Sequence, residues 1–255
     1  MAAGTTPADG TVDVRREGDV AVVTLNRERK LNALSTHMEG RLLQALNSDE
    51  VTGSRAVVVT GGDKVFSAGA DTGELREMTP AAIARYYRET GHVYETFAAL
   101  PQPTVVAVAG YCLGGGLELS LAADVRVADP SAVFGFPEVA INILPSSGGV
   151  TRANRVLGAG RARDLVLRGR RIDAARADAW GLITELSAPG EHISTAIDVA
   201  RELCQYHPMT MSVTKQVMQA SLDSSQSASL LLEQISYALL NNCIDDGTSN
   251  DGDNQ

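Results

Sequence analysis

Residues 107–119 read AVAGYCLGGGLEL, an apolar run that breaks at three consecutive glycines and resumes as an apolar segment carrying one acid, Glu118. Thr104 to Ala109 has the β-branched composition of a buried strand, and the residues after Gly114, Gly115 and Gly116 read as a helix. The same alternation extends both ways along the chain. Upstream, Val12–Val14 and Val20–Leu25 read as strands. Ser35 or Thr36 caps a helix with Met38, Leu42, Leu43 and Leu46 at helical spacing. Arg55–Thr60 is another strand, closed by a turn at Gly61, Gly62 and Asp63. Thr79 and Pro80 start a helix with Ile83, Tyr87, Thr90, Tyr94 and Phe97 on one face, ended by Pro101 and Pro103. Downstream, Val125–Val127 and Ala132–Phe134 read as strands, and from about Gly148 the pattern is mainly helical, with one strand at Leu182–Leu186. Strand alternating with helix predicts an α/β fold of right-handed βαβ units around a buried sheet. The expected division is a core over residues 11–195, a helical region over 196–244 packed on it or on a neighbouring subunit, and a polar, acidic tail over 245–255 that reads as disordered.

Bulk properties remove several function classes. A formal charge of −9 argues against duplex DNA or an anionic membrane as partner, and 4% aromatic residues argue against a stacking surface for single-stranded nucleic acid. Net charge does not exclude an anionic small molecule, because local groups decide binding. Cys112, Cys204 and Cys243 stand far apart without metal-ligand spacing, which predicts free thiols in a reducing compartment. His37, His92, His192 and His207 form no ligand pair, so no metal site is expected. The first ten residues, MAAGTTPADG, lack the charged and apolar regions of a secretory signal, and the run around Thr104–Leu117 is too short and glycine-rich to span a bilayer. A cytoplasmic location is expected.

Two glycine-bearing loops follow two successive strands, FSAGAD at residues 66–71 and LGGGLE at residues 113–118. Loops at the carboxyl ends of neighbouring strands are where α/β sheets bind ligands, and glycine lets N–H groups face outward. The second loop opens a helix, whose N-terminus favours a developing anion. Two N–H groups converging from the two loops would make an oxyanion hole; the alternative is that the glycines serve only tight turns and close packing. Neither a phosphate loop nor a nucleophile elbow is present. Glu118 sits in the first turn of the helix and Glu138 follows an apolar loop, FGFP, at residues 134–137. Each has a simpler role available, dipole complementation for Glu118 and a cap or solvated charge for Glu138. Facing one poorly hydrated crevice, they would not both ionise readily, and one raised pKa would supply an acid beside a base. Asp71 reads as a helix cap or loop brace.

Three strings in this order, TGGDKVFSAGAD (60–71), AVAGYCLGGGLEL (107–119) and FPEVAINILPSSGGVTR (136–152), together with LNRERKLNAL (25–34), closely resemble the enoyl-CoA hydratase/isomerase, or crotonase, family. The likeness runs from about residue 11 to about residue 240 and is more specific for the superfamily than for one reaction. The resemblance implies a spiral of ββα units with a helical C-terminal trimerisation region, and self-association as a trimer or dimer of trimers. It implies an oxyanion hole from the N–H groups of Ala70 and Gly115, and catalysis by Glu118 and Glu138; isomerase-type members commonly keep only the second acid. The acyl-CoA contacts it implies are Arg29, the backbone near Leu31, Lys64, Ala68, Gly69, Asp71 and Gly114, although Arg29 and Lys64 could equally be plain surface residues. The reaction it implies is reversible addition of water to a 2-enoyl-CoA, with coenzyme A arriving as part of the substrate and no metal or redox cofactor.

Three positions depart from the family pattern. Ser146 follows Pro145 where hydratases usually have glycine, Gly73 stands where lysine is common, and an acidic tail replaces the usual basic, aromatic C-terminal helix. The run SSGGV at residues 146–150 also resembles carnitinyl-CoA dehydratases. Isomerisation, dehydration of a carnitinyl-type thioester, thioester hydrolysis and non-catalytic acyl-CoA binding therefore stand as alternatives.

Overall fold

The computed structural model describes residues 9–244; the acidic tail expected over 245–255 lies outside them. β1 (Thr11–Glu17) and β2 (Val20–Asn26) form an antiparallel pair, followed by α1 (Thr36–Leu46), the short α2 (Asp49–Thr52) and β3 (Ala56–Thr60). α3 (Thr72–Glu77), α4 (Pro80–Glu89) and α5 (Val93–Ala98) lead to β4 (Thr104–Val108). The chain then turns at Gly110 into β5 (Tyr111–Leu113) and α6 (Gly115–Ala122), and β6 (Val125–Ala128) is followed by β7 (Val133–Gly135) and α7 (Gly149–Leu167). β8 (Arg171–Asp173), α8 (Ala174–Trp180), β9 (Glu185–Leu186), α9 (His192–Leu203), α10 (Pro208–Ser221) and α11 (Gln226–Ile244) complete the described chain.

The large sheet has the order β1-β2-β3-β4-β6-β9, parallel from β2 onward, and the small sheet has the order β5-β7-β8. Each winding gives a strand to the large sheet, then one to the small sheet, then a helix: β4, β5 and α6, then β6, β7 and α7. The winding before them has the same shape, because after β3 the segment at Ser67 bridges in parallel to Cys112 of β5. The fold is thus a spiral of ββα units with a helical C-terminal region.

The valine-rich runs form this sheet because both of its faces are covered. Val20, Val22, Val58, Val105 and Val127 point to one face, against Ala196, Ile197 and Ala200 of α9. The alternate residues Ala21, Val23, Val57, Val59 and Val106 point to the other, against α1, α5 and α6. Among the described residues no helix is long and apolar enough to cross a membrane.

The structure corrects several expected boundaries. The helix expected from Pro80 through Phe97 is two helices. Gly91 allows the break: the Tyr86 carbonyl accepts from both Thr90 N–H and Gly91 N–H, and a β-carbon at Gly91 would lie 2.7 Å from the Tyr86 ring. The strand expected at Leu182–Leu186 shrinks to β9, because Leu182 N–H bonds back to Ala177 at the end of α8 while Leu182 and Ile183 fill the core. The expected division between residues 195 and 196 falls inside α9, which packs on the large sheet; the C-terminal extension is α10 and α11. β5 and β8, each three residues long, are too short to show a period.

One buried residue joins the N-terminal loop to the loop after β3. Asn32, in the left-handed region at φ 52°, donates to the carbonyls of Gly61 (2.9 Å) and Val65 (2.8 Å) and accepts from Arg27 N–H (2.7 Å). Asn32→Ala leaves three buried groups unpaired and should lower the unfolding free energy in urea by about 2–4 kcal/mol. Asn32→Asp, which sets a carboxylate oxygen against the two carbonyls that Asn32 donates to, should destabilise at least as much.

Candidate active site

The two glycine loops meet. Leu34 bridges in parallel to Ala70: Leu34 N–H donates to the Gly69 carbonyl (2.8 Å) and Asp71 N–H to the Leu34 carbonyl (2.9 Å). In such a bridge the central residue turns its own amide away from the partner strand, so Ala70 N–H faces outward. Gly115 is the first residue of α6 and has no helical carbonyl to donate to. Neither amide donates to a protein acceptor among the described residues. A β-carbon at Gly69 (φ 98°) would lie 2.7 Å from the Leu113 carbonyl and 3.3 Å from Gly115 N, and one at Gly115 would lie 3.5 Å from Ala70 N. Glycine at position 69 is what allows the two loops to approach this closely. At the far end of α6, the buried Arg126 guanidinium donates to the carbonyls of Ala123 (3.0 Å) and Ser120 (3.3 Å) and to Leu182 on α8's exit (2.6 Å), which fixes the helix in place.

Both amides open on a cavity of about 350 Å³ that also holds Asp71, Glu118, Glu138 and Ser146. The environments of Glu118 and Glu138 differ. Glu118 Oε1 accepts from the N–H groups of Ser147 (2.7 Å) and Gly149 (2.9 Å) at the N-terminus of α7. Burial raises the pKa of Glu118, while these two amides and the nearby Arg152 oppose the rise. Gly149 must be glycine, since a β-carbon there would lie 2.8 Å from Glu118 Oε1. Arg152 steadies the arrangement by donating to the Ser147 carbonyl (3.0 Å) and to Glu95 (2.8 Å). Glu138 has only its own backbone amide to oppose the effect of burial. Its Oε2 is buried without a partner, and burial, with the charge of Glu118 adding to it, pushes its pKa up to about 7. A β-carbon at Gly114 would lie 2.9 Å from its Oε1. Burial thus raises both carboxyls, but two amides and an arginine oppose the rise at Glu118 alone, so the pair differs in proton affinity, which is the division that acid–base chemistry near neutrality needs.

The remaining predicted residues divide into groups. Asp71 caps α3 through Gly73 N–H (3.1 Å) and pairs with Arg27 at 2.8 Å, whose guanidinium holds its carboxyl below the usual range; it is a brace that also lines the cavity. Ala68 N–H donates to the Leu31 carbonyl (2.9 Å), tying the first loop to the N-terminal segment. Leu31 and Lys64 line a second, shallower cavity with Tyr111 and Ser131, and Lys64 pairs with Glu28 at 3.6 Å. Arg29 is exposed and lines neither cavity.

A third acid escaped the sequence reading. Glu39, on α1, is 2% exposed and lines the same cavity. Its Oε1 accepts from the hydroxyls of Tyr94 (2.7 Å) and Tyr86 (2.9 Å), and its Oε2 is buried and unpaired. Burial raises its pKa to about 7 against the lowering effect of the two tyrosines. The available signal was periodicity: Glu39, Leu42 and Leu46 occupy i, i+3 and i+7, so an acid stands on the buried stripe of α1. Among the described residues no group of three or more histidine, cysteine or acidic side chains is placed to hold a metal ion.

A ββα spiral with two free amides between neighbouring glycine loops has the crotonase architecture. The family model described as enoyl-CoA hydratase/isomerase matches residues 15–244. A probable enoyl-CoA hydratase of Mycobacterium bovis is 35% identical over 227 residues, 88% of this chain and 87% of that protein. A short-chain-enoyl-CoA hydratase of Clostridium acetobutylicum is 33% identical over 231 residues, covering 89% and 87%. The crystal structure of a putative enoyl-CoA hydratase from Streptomyces coelicolor superposes with a TM-score of 0.86 at 32% identity, covering 96% of this chain and 91% of that one. The chain belongs to the enoyl-CoA hydratase/isomerase family.

The raised acids leave a mark on stability. Glu39 and Glu138 hold their protons more tightly in the folded chain than in the unfolded one, so their contribution is complete below about pH 4.5 and is lost as the pH rises through about 7. Between about pH 5 and pH 8 the melting temperature of the double variant Glu39→Gln, Glu138→Gln should therefore fall less than that of the wild type. Equal falls in the two proteins would contradict the assignment.

Proposed function

We propose that this protein adds water reversibly to the double bond of a 2-enoyl-CoA thioester. The observation that carries this reading is one cavity holding two undonated amides, from Ala70 and Gly115, together with two carboxyls in unequal environments. The thioester oxygen sits between the two N–H groups, which polarise the conjugated double bond and stabilise the enolate-like transition state. Glu118, whose ionised form the α7 amides stabilise against the effect of burial, takes a proton from water as the oxygen attacks C3. Glu138, held towards its neutral form, supplies the proton at C2, directly or through the same water. Coenzyme A enters as part of the substrate, with Arg29, Lys64 and the backbone at Leu31 as its contacts. The retention of both acids and the similarity to the short-chain-enoyl-CoA hydratase of Clostridium acetobutylicum support hydration over isomerisation.

Mixing the protein with crotonyl-CoA should lower the conjugated enoyl-thioester absorbance to an equilibrium level and yield a product heavier by one water. Unchanged product mass would point to isomerisation, and free coenzyme A to thioester hydrolysis. Glu118→Gln and Glu138→Gln should each lower kcat by about two to four orders of magnitude with a much smaller effect on thioester binding. The rate should fall as the pH rises through about 7, where Glu138 loses its proton. A non-catalytic binder would show no turnover and the same binding in all three proteins.

The same reading includes self-association as a trimer or dimer of trimers. α11 packs on α10, and Met218, Leu231, Ile235 and Tyr237 of this pair, with Leu222 just after α10, are exposed in the single chain. Light scattering should return three or six times the chain mass, and a monomeric mass would contradict it.

A further inference from the structure

Glu118, the base of the proposed reaction, takes the support of a positive charge from behind the cavity wall. Among the described residues no lysine, arginine or histidine lines the cavity itself. The titratable groups that share its surroundings are Glu138 from the loop before α7, Glu39 from α1 and Tyr94 from α5, none of them a cation. The cation that acts on Glu118 is Arg152, on α7, and among the described residues the two form no ion pair. One turn of backbone links them. The N–H groups of Ser147 and Gly149 donate to Glu118 Oε1 at 2.7 Å and 2.9 Å, while Arg152 Nη1 donates to the Ser147 carbonyl at 3.0 Å. Gly148 lies between them at the N-cap of α7 with φ 94°, and a β-carbon there would overlap Arg152 Nη1, so the guanidinium rests against the turn. Arg152 Nη2 donates to Glu95 of α5 at 2.8 Å.

A glycine in the left-handed region leaves the peptide before it free to turn over at little steric cost. The bond from Arg152 to the Ser147 carbonyl opposes that turn, and so keeps two amides aimed at one carboxylate oxygen. The position of the charge matters as much. A guanidinium paired directly with Glu118 would hold the carboxylate ionised so firmly that it would be a poor base. With no cation, burial would favour the protonated acid, which cannot take a proton from water. Behind the turn, Arg152 opposes the effect of burial without covering Glu118 Oε2, which receives no hydrogen bond among the described residues. Glu95 does not cancel this effect: its side chain is 69% exposed, against 14% for Arg152, so water screens the carboxylate more than the guanidinium.

We propose that Arg152 is a positioning residue for the reaction: it grips the turn at Ser147, Gly148 and Gly149 from behind, keeps two amides on Glu118, and supplies that carboxylate with a positive charge it does not touch. The proposal rests on the hydration reading for its kinetic consequence and deepens it by naming what readies the base. Arg152 acts on neither thioester nor water directly, since it lies outside the cavity. Its other charged neighbours are Glu95 from α5, Asp124 from the link between α6 and β6, Arg155 from α7 and Asp223 after α10. These share with it a second cavity that Glu118 does not line.

The test compares the full-length wild type with Arg152→Gln and Arg152→Lys. In the pH profile of kcat for crotonyl-CoA hydration, the limb that rises as Glu118 loses its proton should move up by about one pH unit in Arg152→Gln, with KM changed less than about threefold. Arg152→Lys, which keeps the charge but not the planar fork, should restore most of the shift. Gly148→Ala keeps the arginine but drives its guanidinium off the turn, so it should move the limb the same way and serves where Arg152→Gln does not fold. A limb that stays at its wild-type position in these variants overturns the proposal, and so does Arg152→Lys behaving as Arg152→Gln does. A second measurement needs no substrate. Burial raises the pKa of Glu118, so its stabilising contribution is complete below about pH 4.5 and is lost as the pH rises through the folded value; removing Arg152 enlarges that loss. Between about pH 5 and pH 8 the melting temperature of Arg152→Gln should therefore fall further than that of the wild type, and the extra fall should vanish when both proteins also carry Glu118→Gln. No extra fall, or one that survives Glu118→Gln, overturns the proposal. A wild type that does not hydrate crotonyl-CoA sinks the hydration reading alone, and the melting comparison still decides what Arg152 does to Glu118.

Discussion

The site depends on the close approach of two backbones. The loop around Gly69 and Ala70 touches the loop around Gly114 and Gly115 so tightly that a single β-carbon at Gly69 would press into the Leu113 carbonyl. Two amides from chain segments about 45 residues apart are thereby left without protein acceptors at one place. The rest of the spiral serves this contact. The bridge from Leu34 to Ala70 turns one amide outward, the start of α6 frees the other, and Asn32 and Arg126 hold the two halves from behind.

The acids are arranged by the same winding. Glu118 comes from the first turn of α6, and the next winding returns to place the N-terminus of α7 over it, so that its carboxylate meets two amides at the positive end of a helix. Glu138 belongs to the loop between β7 and α7, where burial and the charge of Glu118 outweigh the lowering effect of its own backbone amide. Two chemically identical side chains thus acquire different proton affinities from where the backbone amides lie. Glu39 reaches the cavity from the opposite wall, on α1, and its tyrosine partners come from α4 and α5. The break at Gly91 therefore matters to the site, since it separates the helices that carry Tyr86 and Tyr94.

Much of this was legible in the residues. Both-face burial made β2, β3, β4 and β6 readable as continuous β-branched runs, and the glycine loops after β3 and β5 marked where amides are exposed. The parts that were not legible share a cause, because each is decided by a partner distant in sequence. β5 and β8 exist only as partners of β7, and the expected helix through Thr90 is broken by packing of Gly91 under the Tyr86 ring. α9 looks like the start of a helical region but is claimed by the large sheet. Glu39 was written on the apolar stripe of α1, where an acid has meaning only once Tyr86 and Tyr94 are known to lie against it.

The central claim concerns what the Ala70 and Gly115 amides do to a thioester carbonyl. The most direct measurement is the infrared difference spectrum of a bound, carbonyl-13C-labelled acyl-CoA. Hydrogen bonding by both amides predicts a carbonyl stretch at clearly lower frequency than in solution, with Gly69→Ala, which forces the loops apart, losing the shift. A bound thioester whose carbonyl stretch matches that of the free ligand would contradict the account.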